Sequence, residues 1–281
     1  MKPPTAQIID GKLLAEKIIL ELKAKVSHLA KAPGLATVLI GDNAASTLFV
    51  KNKKKACLKV GITFHEYLCG KKDFYPQITQ AEILKMIDWL NKDEEIDGII
   101  VQLPLPKKFN TQKIINRIDP KKDVDGFHPD NAEPNSPLIG AIRLALMFPQ
   151  KNLKDNKTII VSKNPIFSSP LAQALKKDGL DVTIIKPDDK ELTEKLKTAD
   201  IVISVAGKKY LIKKSMIKKD AIVIDAGTNL MDKNHWVGDV DPSVSQVASY
   251  LTPVPGGIGP LTVVMLLKNT YDLAQKNQKN R

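Results

Sequence analysis

Hydrophobic and polar positions alternate between a helical period and short apolar runs, which predicts helices and buried strands in succession. In the first half, the pattern predicts helices over 10–30, 46–60, 78–91 and 111–117, and strands over 35–41, 62–68 and 98–103. In the second half, it predicts helices from 138 and over 169–177, 189–197 and 213–218, strands over 158–161, 182–185, 201–205 and 221–225, and a last helix from 260. Such alternation is typical of a mostly parallel sheet with helices on both faces, so the predicted fold class is α/β.

Length and a change of rhythm near the middle predict two domains. The chain has 281 residues, and one domain has on the order of 150. We expect an N-terminal α/β domain over 1–137, completed by the C-terminal helix 260–281, and a Rossmann-like domain over 138–259. Ligands of such sheets bind beyond the carboxyl ends of the strands, and we expect the active site in the cleft between the domains.

The chain carries an excess of positive charge, with 43 lysines and arginines against 31 aspartates and glutamates, a formal net charge of +12. This excess raises nucleic-acid binding as a hypothesis. We discount it because only Arg117, Arg143 and Arg281 are arginines, and base and phosphate recognition relies on the guanidinium fork. A positive field would instead attract a small polyanion.

Membrane, secreted and metal-binding classes are disfavoured by the composition. No apolar run approaches the roughly 18–20 residues of a membrane span, and no apolar signal segment follows the start. Cys57 and Cys69 are too few for a disulfide framework, and neither they nor the four histidines have the spacing of metal ligands. We therefore expect a cytoplasmic protein without a membrane, nucleic-acid or metal partner.

Lys53 is unusual because it falls within an apolar stripe of the predicted helix 46–60. Phe49, Ala56 and Val60 mark that stripe at helical spacing. A lysine in such a position either snorkels to solvent or is held in a partly desolvated pocket. A pocket would lower the pKa of the amine and make it a usable acid or base. The pattern alone favours snorkelling.

Gln102 ends the buried strand 98–103 and is followed by Pro104 and Pro106. A polar amide at the carboxyl end of such a strand is well placed to hold a ligand or to orient a catalytic group. A hydrogen bond to the loop backbone explains the same residue equally well. Both interpretations stay open from the sequence.

Two carboxylates, Asp123 and Asp125, stand in a short loop that ends at His128 and Pro129. They could bind a metal, a guanidine-like edge or the next helix, and capping of the turn is the competing interpretation. Metal binding is disfavoured because the histidines are not spaced as ligands.

The segment 253–262 combines glycines with three prolines immediately before a predicted helix. Glycines at such a position allow backbone N–H groups to approach a ligand closely, with the helix dipole directed at it. The prolines make the loop rigid, which predicts a preformed site.

Together these motifs resemble the bifunctional methylenetetrahydrofolate dehydrogenase/methenyltetrahydrofolate cyclohydrolase family, the FolD proteins. The matching residues, in chain order, are Gly41–Asp42, Ala45–Ser46, Phe49–Val50, Lys53, Lys55–Cys57, Asp97–Pro106, Lys122–Pro129, Gly238–Asp241 and Thr252–Thr262. The likeness runs from about residue 7 to 275. Each motif is moderately specific, and all of them in order are highly specific, which favours the desolvated interpretation of Lys53.

The resemblance implies a reversible two-step conversion in one-carbon metabolism and purine biosynthesis. In the first step, 5,10-methylenetetrahydrofolate is oxidised to 5,10-methenyltetrahydrofolate with NADP+. In the second, water converts that product to 10-formyltetrahydrofolate. The resemblance also implies that Lys53 is the catalytic acid/base, that Gln102 hydrogen-bonds it and tunes its protonation, and that Asp125 binds the amino edge of the pterin.

Further site residues follow from the same resemblance. Folate contacts are expected from Ser46, Phe49, Leu103, Pro104, Pro255, Gly256, Gly257, Pro260 and Thr262. Dinucleotide contacts are expected from Ser162, Lys163, Asn164, Ala206, Gly207 and Thr228. The family likeness also suggests a homodimer formed through the second domain.

The chain departs from the family pattern in three regions. Phe49 replaces a usual tyrosine, which keeps the aromatic face and loses the hydroxyl. Residues 162–170 stand where the family has Gly-Arg-Ser-x-x-Val-Gly-x-Pro, so both glycines are missing and Lys163 takes the place of the arginine. Further along the same domain, the carboxylates of Asp188 and Asp189 would repel a 2′-phosphate and suit a ribose 2′-hydroxyl. The connection at 131–137 is shortened.

These departures predict an intact folate site and an eroded dinucleotide site. The leading hypothesis is the bifunctional enzyme using NADP, with weakened or lost cofactor binding, or NAD, as open alternatives. A cyclohydrolase without hydride transfer is the first alternative function. A non-catalytic folate-binding or partner-binding relative is the second, and retention of Lys53, Gln102 and Asp125 argues against it.

Overall fold

The computed structural model describes residues 6–70, 77–130, 136–232 and 235–279. They form two compact units, which we name by their sheets. The six-strand unit contains the described residues through Ala15 and Leu138–Thr262, and the three-strand unit contains Glu16–Pro137 and the residues from Val263 onward. Most of the shortened connection predicted at 131–137 lies outside the described residues.

The elements follow one another in the alternation that the sequence predicts. The strands are β1 (Gln7–Ile8), β2 (Gly34–Ile40), β3 (Thr63–Cys69), β4 (Gly98–Val101), β5 (Lys157–Val161), β6 (Asp181–Ile185), β7 (Ile201–Ser204), β8 (Ile222–Asp225), β9 (Asn229–Asp232), β10 (His235–Val237) and β11 (Tyr250–Leu251). The α-helices are α1 (Gly11–Val26), α2 (Ala44–Val60), α3 (Gln80–Lys92), α4 (Thr111–Ile115), α5 (Pro137–Met147), α6 (Pro165–Lys177), α7 (Leu192–Leu196) and α8 (Ile258–Lys279). Short 3₁₀ helices occupy Lys214–Met216 and Pro242–Gln246.

The three-strand unit is built on a parallel sheet in the order β3-β2-β4. Alternate residues of β2 point to opposite faces: Ala36 and Val38 pack in a cluster with side chains of α3, and Leu35 packs with side chains of α1, α2 and α8. Both faces are therefore covered by helices, which explains the continuous apolar runs of its strands.

The six-strand unit has the parallel order β1-β11-β8-β7-β5-β6. Ile159 and Val161 of β5 belong to one apolar cluster, and Ile160 between them is equally buried. Two buried faces are the property expected of a doubly wound parallel sheet, so the predicted α/β class is confirmed.

Three features of the fold differ from the sequence pattern. The first residues belong to the six-strand unit because β1 pairs with β11, whereas the pattern placed them in the N-terminal domain. The helix predicted over 213–218 is a single 3₁₀ turn, and the hairpin of β9 and β10 was not predicted. Two-residue strands and single turns contain too few residues to show a period.

Within the described part of the chain, every helix is too short or too polar to span a lipid bilayer.

Candidate functional site

Lys53 lies on the buried face of α2. The helix begins after the carboxyl end of β2, where the Asn43 side chain caps it by accepting a hydrogen bond from the N–H of Ser46 at 3.0 Å. The buried residues of α2 are Ser46, Val50, Lys53, Ala56, Cys57 and Val60. Lys53 is only 8% exposed, so the desolvated interpretation is confirmed and snorkelling is wrong. Phe49 is 36% exposed, and Val50 takes the buried place expected for it.

Gln102 connects Lys53 to the end of the sheet. The Nζ of Lys53 donates a hydrogen bond to Oε1 of Gln102 at 2.7 Å. The Nε2 of Gln102 donates to the carbonyl oxygen of Leu103 at 2.7 Å, and its backbone N–H donates to Val38 of β2. Because the amide nitrogen is held by the backbone, the amide oxygen must face the amine. Gln102 therefore bonds to the loop backbone and to Lys53 at once, and its role in orienting a catalytic group stays a prediction.

Burial shifts the protonation of this group of side chains. Burial lowers the pKa of Lys53, and the charge of Asp125 opposes that change. Burial raises the pKa of Asp125 to about 6, opposed by the charge of Lys53. Burial also raises the pKa of Cys57, one turn after Lys53, to about 12, so this thiol stays protonated at neutral pH. Burial thus favours the neutral form of both the Lys53 amine and the Asp125 carboxyl.

The loop after α4 uses its two carboxylates differently. Asp123 is buried and accepts hydrogen bonds from the N–H groups of Asp125, Gly126 and His128, at 2.9–3.1 Å. It therefore caps the turn, as one interpretation held. Asp125 is half-buried and interacts electrostatically with Lys53, so a carboxylate and an amine face the same region.

Three other predicted folate contacts, Ser46, Leu103 and Pro104, belong to the three-strand unit. Ser46 is buried on the same helix as Lys53, and its Oγ has no hydrogen-bond partner among the described residues. Leu103 is half-buried and Pro104, joined to it by a cis peptide bond, is exposed. Their binding role stays a prediction.

The glycine-proline loop belongs to the six-strand unit. Gly256 has φ +110°, a conformation that favours glycine, and its carbonyl oxygen accepts the N–H of Lys12 at 3.1 Å. A Cβ on Gly257 would lie 2.5 Å from the Pro253 carbonyl oxygen, so the chain needs glycine there. The loop is fixed by this packing, which agrees with the predicted rigidity.

The residues at the end of the loop lie on the first turns of α8. The helix begins at Ile258, two residues earlier than predicted, so Pro260 is within its first turn. Pro255 is exposed, and the hydroxyl of Thr262 donates to the Ile258 carbonyl oxygen at 3.0 Å. Folate binding by these residues also stays a prediction.

The sheet order of the six-strand unit places a candidate dinucleotide site. β6 lies on one side of β5 and β7 on the other, so the chain reverses its direction of travel across the sheet at β5. Dinucleotides bind beyond the carboxyl ends of the strands at such a reversal. The loops at 162–164 and 205–208 occupy this position, and they contain most of the predicted cofactor residues.

The loop after β5 is hydrogen-bonded to itself. The Asn164 side chain caps α6 by accepting the N–H of Ile166 at 3.1 Å, and Ser162 is buried with its hydroxyl accepting the N–H of Asn164 at 3.2 Å. Pro165 has no N–H to offer. The Lys163 side chain, which is exposed, therefore remains as the cationic group of this loop for a phosphate.

The loops after β7 and β8 contain the remaining predicted cofactor residues. Thr228 is exposed. The N–H groups of Ala206 and Gly207 both donate to the carboxylate of Asp239, at 2.8 and 3.2 Å. Contacts from these two residues to a cofactor must therefore involve atoms other than their N–H groups. The sequence comparison matched Asp239 to the family without assigning it a role.

The carboxylates after β6 are less repulsive to a phosphate than the sequence predicted. Asp189 accepts a hydrogen bond from the Nζ of Lys195 at 2.9 Å and one from the N–H of Glu191. Hydrogen bonds from Lys195 hold the pKa of Asp189 below its usual value, and the ion pair offsets its charge. Exposed Asp188 remains the second carboxylate of the pair.

Over the residues that the structure describes, no three histidine, cysteine, aspartate or glutamate side chains cluster as metal ligands would.

Comparison with known families gives matches over both halves of the chain. The model for the catalytic domain of tetrahydrofolate dehydrogenase/cyclohydrolase matches residues 9–125. The model for the NAD(P)-binding domain of the same family matches residues 139–278. In sequence, the chain is 44% identical over 274 residues to the bifunctional protein FolD of Ruthia magnifica subsp. Calyptogena magnifica, covering 94% of this chain and 96% of that protein.

Solved structures agree with the sequence matches. The bifunctional FolD enzyme of Campylobacter jejuni superposes with a TM-score of 0.90 at 36% identity, covering 97% of this chain and 99% of that one. The FolD of Trypanosoma brucei, solved with NADP and an inhibitor, superposes with a TM-score of 0.91 at 29% identity, covering 98% and 99%.

Proposed function

The chain belongs to the tetrahydrofolate dehydrogenase/cyclohydrolase family, and from that premise we propose that it catalyses both reactions of the family. It oxidises 5,10-methylenetetrahydrofolate to 5,10-methenyltetrahydrofolate with NADP+, and it hydrolyses the product to 10-formyltetrahydrofolate. The observation that carries the proposal is the buried Lys53 amine on the Gln102 amide, with its pKa lowered by burial.

In hydrolysis, Lys53 acts as the general base. The substrate carbon bridges two nitrogens and carries positive charge, so water attacks it once a nearby group accepts the water proton. A lysine with its reference pKa of about 10.4 is almost fully protonated at pH 7 and cannot accept it. Burial lowers the pKa of Lys53 and so increases the share of neutral amine that can accept this proton. In the hydroxylated adduct the bond from this carbon to one of the two nitrogens then breaks. The released nitrogen takes the proton from Lys53, and the hydroxyl proton goes to solvent as the formyl C=O forms.

Gln102 and Asp125 prepare that amine and the substrate. The Gln102 oxygen fixes the direction of the Lys53 Nζ, since its own amide nitrogen is held by Leu103. Asp125 binds the amino edge of the pterin and, through its charge, keeps the pKa of Lys53 from falling further. Phe49, which is partly exposed, supplies an aromatic face for a folate ring.

The six-strand unit fits a dinucleotide. Its sheet reverses at β5, the loops beyond β5 and β7 occupy the expected position, and Lys163 supplies a positive charge there. NADP+ bound at this position would supply the acceptor for the hydride of the first reaction. We propose Ser162, Lys163, Asn164, Ala206, Gly207 and Thr228 as its contacts.

NADP is favoured over NAD by two charges. Lys163 can meet a 2′-phosphate as a point charge, and the repulsion expected from Asp189 is offset by Lys195. The solved relative from Trypanosoma brucei holds NADP, which supports the same choice. We also propose a cytoplasmic homodimer that contributes to purine biosynthesis, on the strength of family membership.

An assay of the two half-reactions tests the function. The purified chain is given 5,10-methylenetetrahydrofolate with NADP+ or NAD+, and reduced cofactor is followed by absorbance; separately, hydrolysis of 5,10-methenyltetrahydrofolate is followed alone. Both activities, with a lower KM for NADP+ than for NAD+, are expected. Hydrolysis without any cofactor reduction would instead support the cyclohydrolase-only alternative, which family membership does not favour.

A further inference from the structure

A buried carboxylate outside the predicted site residues accepts hydrogen bonds from residues at or beyond the carboxyl ends of β7 and β8 in the six-strand sheet. The Asp239 side chain is fully buried, at 0% exposure, and its two oxygens accept five hydrogen bonds. The donors to Oδ2 are the hydroxyl of Ser204 (2.8 Å) and the N–H groups of Ala206 (2.8 Å) and Gly207 (3.2 Å); the donors to Oδ1 are the N–H of Lys208 (2.8 Å) and the amide of Asn229 (2.9 Å).

Three of these donors are consecutive N–H groups of the loop after β7. β7 ends at Ser204, so the loop has left the ladder of the sheet when it reaches Ala206. Ala206 is buried, and leaving a buried N–H unpaired costs about 1–3 kcal/mol; Gly207 and Lys208 are exposed residues whose N–H groups use the same acceptor. The conformation of residues 206–208 therefore depends on the Asp239 carboxylate.

A second buried carboxylate holds Asp239 itself in place. Asp225, the last residue of β8, accepts the N–H groups of Gly227, Asp239 and Val240 at 2.9–3.1 Å. Two glycines permit this close approach. A Cβ on Gly227 would lie 2.1 Å from Cγ of Asp239, and one on Gly238 would lie 1.8 Å from Oδ2 of Asp225.

The loop held in this way flanks the reversal point of the sheet, where the candidate dinucleotide site lies. We propose that Asp239 is a positioning residue for the dinucleotide: its carboxylate holds the backbone of residues 206–208 in the shape that receives the cofactor, and Asp225 holds Asp239. This inference rests on the proposed dehydrogenase function. The hydrolysis reaction provides an internal control, because it needs no dinucleotide.

Asp239→Asn is the variant that tests the inference. An asparagine keeps one oxygen and turns an N–H₂ group toward donors that the second oxygen accepted, so part of the loop loses its acceptors. We expect the KM for NADP+ to rise about tenfold or more, while kcat/KM for hydrolysis of 5,10-methenyltetrahydrofolate stays unchanged.

Asp241→Asn is the matched control. Asp241 lies two residues along the same segment, and among the described bonds its carboxylate accepts only from the N–H and hydroxyl of Ser243. Its replacement removes a carboxylate of similar type without touching the loop after β7. We expect the KM for NADP+ of this variant to match that of the parent.

The outcomes separate positioning from general support of the fold. Equal losses in both reactions, or an unchanged KM for NADP+, would show that Asp239 has no specific role toward the dinucleotide. A parent enzyme that hydrolyses its substrate and reduces no dinucleotide would overturn the dehydrogenase half of the proposed function and this inference with it.

Amide hydrogen exchange on the parent protein tests the inference even if Asp239→Asn fails to fold. The amides of Ala206, Gly207 and Lys208 should exchange as slowly as those of β7, because they donate to a buried carboxylate. Exchange at the rate of an exposed loop would contradict the proposed holding of this loop.

Discussion

Each unit has a buried ionisable side chain, Lys53 in one and Asp239 in the other, and the two differ in how many hydrogen bonds they make. In the three-strand unit, the Lys53 amine donates to the Gln102 oxygen and has a lowered pKa. In the six-strand unit, the Asp239 carboxylate accepts five hydrogen bonds. Partners of the charged form stabilise it. The Lys53 amine has one described hydrogen-bond partner, whereas the Asp239 carboxylate holds three consecutive backbone N–H groups in place.

The same contrast holds between the neighbouring aspartates Asp123 and Asp125. Asp123 accepts three backbone N–H groups and shapes its loop. Burial raises the pKa of Asp125 to about 6, near the physiological range. One loop thus contains a carboxylate that holds the backbone and, two residues away, a carboxylate whose protonation is changed by burial. The predictions below test the residues around Lys53 and the network around Asp239.

Removal of the Lys53 amine should have the largest effect. Lys53→Met keeps an unbranched chain in the buried position and removes the proton acceptor, so we expect hydrolysis to slow by about 10²–10⁴-fold. The rate is measured from the disappearance of 5,10-methenyltetrahydrofolate. Lys54→Met, which removes an exposed ion pair with Glu66, is the control and should hydrolyse the substrate at the parent rate. A fully active Lys53→Met would show that the buried amine is not the proton acceptor.

Gln102→Glu should have the next largest effect. A carboxylate in place of the amide oxygen, 2.7 Å from Nζ in the parent, favours the ammonium form and raises the pKa of Lys53. At a pH below the pKa, each unit by which the pKa rises lowers the fraction of neutral amine, and with it the rate of hydrolysis, about tenfold. The acid limb of the pH–rate profile should therefore move to higher pH. Gln102→Met, which removes the hydrogen bond without adding charge, should not move it upward, and a shift shared by both variants would refute this account.

Gly227→Ala should destabilise the six-strand unit. The new Cβ would overlap the Asp239 carboxylate at 2.1 Å, and such overpacking costs about 1–3 kcal/mol. The melting temperature should then fall by roughly 2–4 °C for each kcal/mol of lost stability in a chain of this size. Gly259→Ala is the control, since a Cβ at that position meets no atom within 4 Å. Equal melting temperatures for the two variants would show that the carboxylate network tolerates displacement.

Asp125→Asn should produce the smallest shift. The charge of Asp125 raises the pKa of Lys53 against the effect of burial, so its removal lowers that pKa and keeps the amine neutral to lower pH. The acid limb of kcat for hydrolysis, measured at saturating folate, should move down by up to about one pH unit. Movement to higher pH would contradict the assigned sign of the interaction.

The regular elements of the fold could be predicted because they depend on local periodicity. α2 was expected over 46–60 and occupies Ala44–Val60, and β5 was expected over 158–161 and occupies Lys157–Val161. Apolar side chains at those periods can be buried only as helix or strand. β1 and the hairpin of β9 and β10 were missed because each is too short to show a period.

The site divides in a similar way. Periodicity placed Lys53 on the apolar face of α2, and family motifs identified Lys53, Gln102 and Asp125 as a set, because side-chain identity and spacing can be compared directly along a chain. The stripe alone, however, favoured snorkelling. The burial of Lys53 and its hydrogen bond to Gln102, 49 residues away, decided for the desolvated interpretation.

By itself, the sequence determined the α/β class, the family and the chemical identity of the candidate catalytic groups. Only the tertiary structure decided that the N–H groups of Ala206 and Gly207 are taken by Asp239, 33 and 32 residues further along the chain. The physical reason is that a buried polar group takes whichever partner the fold brings within about 3 Å, and separation along the chain carries no signal of that proximity.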